Sequence, residues 1–208
     1  AGAFRFKRSD GVTARLAHEP KFTKKGQSIR SYLVNQEPDI VLEVTLPKSP
    51  DLTKADSSEE KQFIWLFDAK YRIKTEKNRF DDSDEDIESK DYVPDDAINQ
   101  MHRYRDALIR LSEPYDSKSP SSGNAGQSPK KSRPVFGAFA LYPGFFDQAT
   151  TPNPYAAAIE EVGIGAFALL PSQNEPSQNE LSQTESTQTK SRYSGHQWLL
   201  EFLHAQIG

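Results

Sequence analysis

Asp68 and Lys70 stand one residue apart at the end of a nearly continuous apolar run, Phe63-Ile64-Trp65-Leu66-Phe67. Residues two apart on a strand point to the same face, so this carboxylate and this ammonium share a side. Asp39 follows Pro38 and opens a second apolar run through Ile40, Val41, Leu42, Val44 and Leu46. On a neighbouring strand Asp39 reaches that same face. Two carboxylates and one backbone carbonyl at a strand end, here that of Ala69, suit an oxygen-liganded Mg²⁺ that keeps several waters. Such an ion can acidify a water and clamp a phosphodiester, while the lysine stabilises a developing oxyanion or orients the water. Gln100 and Tyr104 are four apart, hence neighbours on one helical face, and add an amide and a phenol.

Each residue also has a plainer reading. Asp39 could cap a turn after Pro38, and Asp68 with Lys70 could form a surface ion pair worth little. Tyr104 could be core. Gln100 beside an apolar stripe needs a hydrogen-bond partner. His102, His196 and His204 lack metal-ligand spacing and read as structural or surface residues. No GxSxG elbow supports a serine hydrolase, and no P-loop or GxGxxG turn marks a nucleotide site.

The elements that must position these groups follow from periodicity. AFRFKR, SDG and VTARLA alternate around a turn and predict an N-terminal β-hairpin, and KFTKKGQSIRS reads as a basic loop. Residues 40–46 and 62–73 predict strands, the second buried on both faces. VPDDAINQMHRYRDALIRL predicts one helix, begun by Pro94 and Asp95, with Ala97, Met101, Tyr104, Ala107, Leu108 and Leu111 at three- and four-residue spacing. PVFGAFALYPG and IEEVGIGAFALLP predict a fourth and a fifth strand, and HQWLLEFLHAQI a closing helix. The fold class is therefore α/β, a mixed central sheet flanked by helices.

Composition narrows the field further. Only 35% of the 208 residues are hydrophobic, against the usual ~45–50%. The deficit lies in polar stretches 47–61, 80–92, 112–133 and 172–192; what remains is enough for one sizeable core, so residues 1–208 are expected to form a single domain with four polar loops. No cysteine is present, which excludes disulfides, Fe–S clusters, cysteine-bound zinc and a thiol nucleophile. There is no apolar stretch of membrane-spanning length and no signal-peptide core. Met101 is the single methionine, so the chain is expected to be a domain of a longer protein. Residues 81–96 carry nine acids against Lys90 alone, a net of −8 within a whole-chain −4. The rest is therefore net positive, and residues 1–35 hold eight Lys/Arg against Asp10 and Glu19. A polyanionic partner is compatible with this distribution.

PDIVLEV, FDAKYRI and INQMHRY, in this order, resemble the PD-(D/E)XK nuclease superfamily. Pro38–Asp39 and Asp68-Ala69-Lys70 match its signature, and Gln100 through Tyr104 matches the QxxxY motif of its RecB-like branch. FDAKYR followed by DDAINQMHRYRDA is more similar still to nuclease domains of McrC-like and related restriction proteins, which work with an NTP-driven motor. The resemblance implies a restriction-endonuclease-like core and Mg²⁺-dependent cleavage of DNA, with Mn²⁺ able to substitute. It implies Asp39, Asp68 and the Ala69 carbonyl as metal ligands, Lys70 as the group that activates or positions the water, and a 5′-phosphate product. It further implies an McrB-like motor partner, possible pairing as a homodimer, no membrane, and a cytoplasmic place in a prokaryotic restriction or antiviral defence system. Many members carry another acid on a helix before the first motif. Glu43, which shares a strand face with Asp39, is the expected substitute here, and Glu19 and His18 stand outside the motif. Basic residues at 21–30 and Arg72, Lys74, Lys77 and Arg79 are expected to contact phosphates. A module of the same fold that binds nucleic acid or a motor subunit without cutting is the alternative, although a complete Asp/Asp/Lys set argues against decay. RNA and branched DNA remain open as substrates.

Overall fold

The computed structural model describes residues 2–25, 28–47, 61–72, 74–77, 89–111, 131–144, 147–170 and 195–208. Its main sheet has six strands in the order β1 (Ala3–Lys7), β2 (Thr13–His18), β4 (Ile40–Thr45), β5 (Gln62–Ala69), β10 (Val135–Tyr142) and β11 (Ile164–Ala168). The first four are antiparallel neighbours, whereas β5, β10 and β11 run parallel. Parallel neighbours need long crossovers. Helix α1 (Asp95–Ala107) lies on the path from β5 to β10, and α2 (Ala156–Val162) on that from β10 to β11. The expected mixed α/β sheet with an N-terminal strand pair is the architecture found. β3 (Ile29–Ser31), β8 (Leu108–Leu111) and β9 (Lys131–Ser132) form a small second sheet, and β6 (Lys74–Lys77) pairs with β7 (Ser89–Tyr92).

Strand alternation divides the main sheet into two unlike faces. Phe63, Trp65 and Phe67 of β5 share a face with Phe139 of β10 and Phe167 of β11. Helix α3 (Gln197–Ile207) covers it, placing Phe202 at 5.0 Å from Phe139 and 5.3 Å from Phe167, ring centre to ring centre. Ile64, Leu66 and Asp68 occupy the other face. Ala97, Met101 and Tyr104 form the buried side of α1, which packs against β10 and β11. Buried Gln148 ties the aromatic face together: its Nε2 donates to the Ala168 and Gly195 carbonyls (2.9 and 2.8 Å), and its Oε1 accepts from Trp198 N (3.0 Å).

Five readings of the sequence need correction. The helix over 93–111 stops at Ala107, because Leu108–Leu111 pairs antiparallel with β3 and the backbone of Leu108 is extended. Apolar Leu108 and Leu111 fit either period, and the partner strand decides. The fifth strand is confined to Ile164–Ala168; residues 156–162 are α2, closed by Gly163 in the left-handed conformation (φ 65°) with its N–H on the Ile159 carbonyl. A Cβ there would stand 2.5 Å from the Phe136 carbonyl oxygen, so glycine is required. The strand over 62–73 ends at Ala69. The basic stretch 21–31 contains β3. Residues 89–92 and 131–132, read as parts of polar loops, are strands. Most of stretches 47–61, 80–92 and 112–133, and all of 172–192, lie outside the described residues.

Candidate active site

Asp68 sits on the last turn of the pleat before β5 ends, between β4 and β10, and its residue is 4% exposed. A buried carboxylate is costly unless hydrogen-bonded and paired. Lys70 Nζ contacts Asp68 Oδ2 and donates to Gln100 Oε1 (2.8 Å). Gln100 Nε2 donates to Tyr104 Oη (2.7 Å), and Tyr104 Oη donates to Asp68 Oδ1 (2.9 Å). The four side chains thus close a ring of hydrogen bonds. Lysine can only donate, so it fixes the Gln100 amide with oxygen toward Lys70 and nitrogen toward Tyr104. The Glu37 carbonyl oxygen lies 3.2 Å from Tyr104 Oη; the single phenol proton goes to the closer, charged acceptor. Burial, then the Asp68 charge, pushes the Tyr104 phenol above its ordinary value, so it stays a donor.

Asp39 arrives from the other side. The β4–β5 ladder ends at the pair Ile40–Phe67, because Pro38 has no N–H to continue it and the chain bends at Asp39. Asp39 Oδ2 takes up the vacated place by accepting from Ala69 N (2.7 Å). Its own carbonyl accepts from Glu19 N (2.7 Å), a residue held at φ 47°. Backbone N–H and C=O of one strand residue face the same way, so the Ala69 carbonyl opens toward Asp39 rather than into the β10 ladder, where Lys70 N binds the Leu141 carbonyl (2.7 Å).

Asp39, Asp68, Lys70, Gln100 and Tyr104 are therefore brought together; Gln100 finds its partners in Lys70 and Tyr104, and the plainer reading of Asp68–Lys70 as a surface pair does not fit. Glu43 is not brought in. It lies four residues along β4 from Asp39, about 13 Å away, directly across from Arg15, whose Nη1 donates to Glu43 Oε1 (2.9 Å). It also faces Arg110, whose guanidinium is pushed down by burial and back up by the Glu43 charge. Glu19 is exposed beside His18, and no helix precedes β4 among the described residues. Arg72 is engaged with Asp96 (2.8 Å), and the side chains of Lys74, Lys77 and Arg79 lie outside the described residues.

One set of basic residues was overlooked in the sequence. Arg5 and Lys7 of β1 and Arg15 of β2 lie on the sheet face that carries Asp68, and Arg5 stands directly across from Arg15. The alternation Phe4-Arg5-Phe6-Lys7 was the available signal.

Asp39 and Asp68 supply hard oxygen donors. Each Asp68 oxygen keeps a lone pair beyond its hydrogen bond, and Asp39 Oδ1 and the Ala69 carbonyl add two more oxygens. This donor set fits a Mg²⁺-class cation. Among the described residues no third Asp, Glu or His joins the two carboxylates, which suits an ion that retains waters.

A family profile described as the PD-(D/E)XK nuclease superfamily matches residues 1–147. The chain belongs to the PD-(D/E)XK nuclease superfamily. The matched span contains all five clustered residues, while α2, β11 and α3 lie beyond it. Members of this superfamily are generally nucleases, and membership supports nuclease activity for this chain. No curated protein and no solved structure matches the chain. Among the described residues no helix is long and apolar enough to cross a membrane.

Proposed function

We propose that residues 1–208 are one Mg²⁺-dependent DNA endonuclease domain of the RecB-like branch, close to McrC-like restriction nucleases. Gln100 and Tyr104 are its QxxxY pair. Asp39, Asp68 and the Ala69 carbonyl would hold the metal, and Mn²⁺ would substitute. The observation that carries this reading is the closed ring Lys70–Gln100–Tyr104–Asp68 with Asp39 anchored beside it on Ala69 N–H.

A bound Mg²⁺ would supply positive charge to the phosphate and make a water more acidic. The protein's own groups do the rest. Lys70 spends two of its three N–H donors on Asp68 and Gln100, leaving the third for the attacking water or the developing phosphate oxygen. Gln100 fixes where that ammonium points. Tyr104 holds Asp68 in one rotamer and cannot compete for its charge. Water attacks phosphorus, the bond to the 3′ oxygen breaks, and the products carry a 5′-phosphate and a 3′-hydroxyl. Arg5 and Lys7 support a polyanionic duplex: Arg15 across from Arg5 is already balanced by Glu43, and Arg5 and Lys7 extend the positive charge of this face to the β1 edge. The native setting we propose is a prokaryotic cytoplasm, alongside an McrB-like NTP-driven motor in a restriction or antiviral defence system, with target recognition supplied by the rest of the native protein.

The test is nicking of supercoiled plasmid at high enzyme concentration with Mg²⁺ or Mn²⁺, or with the motor present. The wild type should nick and lose activity in EDTA, while Asp68→Ala and Lys70→Ala should lose at least 10²-fold with an unchanged fold by circular dichroism. A folded Asp68→Ala protein that cuts at the wild-type rate overturns the assignment. A wild type that binds DNA with every metal and motor but never cuts would favour the non-cleaving module.

A further inference from the structure

Between β3 and Glu37 the chain displays three consecutive large apolar side chains to solvent: Tyr32 is 55% exposed, Leu33 94% and Val34 68%. This is a built protrusion. Ser31 and Gln36, 2% and 8% exposed, flank it. Ser31 Oγ contacts the Val34 carbonyl, which also accepts from Gln36 Nε2 (2.9 Å). The Gln36 backbone is in turn bridged to Phe22 through two hydrogen bonds of 2.9 and 3.0 Å. Two buried polar side chains are thus committed to holding an apolar tip outward.

Its surroundings say what it meets. Lys24 Nζ lies 4.9 Å from the Tyr32 ring centre, and Lys21 is paired at 3.4 Å with Glu37, three residues beyond Val34. Val34 is five residues from Asp39, at most about 17 Å of chain, or about five base steps of 3.4 Å. The Glu37 carbonyl between them touches Tyr104 of the ring. An apolar tip with cations at its base, tethered this close to a phosphodiester-cleaving site, has the composition of a side-chain wedge that enters a base step while lysines hold the phosphates.

We propose that Tyr32-Leu33-Val34 is a DNA wedge, with Leu33 inserting between stacked bases near the scissile phosphate and bending the duplex toward Asp39 and Asp68. This rests on the nuclease reading for its substrate. It goes beyond that reading in assigning a substrate-distorting element outside the motifs. Because Leu33 and Val34 are exposed, replacing them by serine leaves the core untouched.

The experiment compares the full 208-residue chain with the Leu33→Ser/Val34→Ser variant on a 30-base-pair duplex carrying 2-aminopurine at every adenine of one strand. Ca²⁺ replaces Mg²⁺ for binding, and plasmid nicking with Mg²⁺ or Mn²⁺ is measured separately. Wild-type binding should brighten 2-aminopurine several-fold as bases unstack. The variant should melt at the wild-type temperature, bind roughly tenfold more weakly and give no brightening. A wild type that binds and nicks DNA without brightening overturns the wedge and leaves the nuclease reading standing, as does a variant indistinguishable from it. Brightening that depends on Leu33 in a chain that never nicks with Mg²⁺, Mn²⁺ or the motor present upholds the wedge and replaces the nuclease reading by the non-cleaving module. A variant unchanged on DNA but altered in self-association by sedimentation makes the tip a protein-docking knob, and the wedge falls.

Discussion

Gln100 is the residue whose role is most open to a single substitution. It touches neither carboxylate, yet its amide oxygen takes one Lys70 proton and its nitrogen reaches Tyr104. In Gln100→Ala the lysine keeps Asp68 as its sole fixed partner and its head is free to swing. We expect cleavage to fall about 10- to 100-fold, with a loss of only about 1 kcal/mol in urea unfolding, because half-buried Gln100 leaves room for water. A loss of stability larger than the loss of activity would make Gln100 a structural residue only. Tyr104 invites a pH experiment. Its folded-state pKa is raised by burial first and by Asp68 next, so from about pH 10 upward the unfolded chain releases a proton that the folded chain keeps. The folded state then binds more protons, and stability falls as pH rises. Urea titrations from pH 8 to 11 should show a shallower decline for Tyr104→Phe than for the wild type. The same variant should be about 1–3 kcal/mol less stable at pH 8, since it strands a Gln100 N–H and an Asp68 oxygen.

At the scale of elements, the site depends on where strands stop. Pro38 and the bend at Asp39 end the β4–β5 ladder two residues short of Ala69, and the Asp39 carboxylate takes the unclaimed N–H. The five-residue cluster occupies that gap between the ends of β4 and β5. Gly163 performs the matching task on the far side, turning α2 into β11 within one residue. Gly163→Ala would force a Cβ to 2.5 Å from the Phe136 carbonyl at a positive φ. We expect a loss of about 1–3 kcal/mol, seen as a lower melting temperature. Nicking measured well below that temperature should be unchanged, because α2 packs on β11 and contributes none of the five clustered residues.

Across the whole molecule, the two faces of the main sheet have separate tasks. One is an aromatic layer of Phe67, Phe139 and Phe167 closed by Phe202 of α3, with Gln148 joining the turn before α3 to the end of β11. The other carries the carboxylates near its middle and Arg5, Lys7 and Arg15 toward its β1 edge. A duplex lying across that second face would put phosphates on the arginines while the scissile bond reaches Asp68. Each neutralised phosphate contributes about 0.9 to the slope of log affinity against log salt. Arg5→Ala/Lys7→Ala should therefore lower the slope by about 2 and leave the melting temperature within a few degrees of wild type. An unchanged slope in binding titrations from 50 to 200 mM salt would take the hairpin off the DNA path.

Much of this was local, and the sequence alone determined it. Asp68 and Lys70 share a face because strands alternate, Gln100 and Tyr104 because helices repeat every 3.6 residues, and the apolar runs of β4, β5 and β10 declare themselves by composition. The tertiary structure decided what depends on partners distant in the chain. Leu108–Leu111 continues a helical pattern until β3 captures it, and residues 159–162, read as the start of the fifth strand, are the end of α2. Glu43 lies on the same strand face as Asp39, as alternation requires, but β2 brings Arg15 opposite it and its charge is already taken. No spacing rule foretells that pairing, since register is set by which strands meet, and a slip of one residue would turn every side chain to the other face. The closed ring has the same origin: each member is legible alone, but only the packing of α1 on the sheet beside β5 makes the lysine, amide, phenol and carboxylate mutually satisfied.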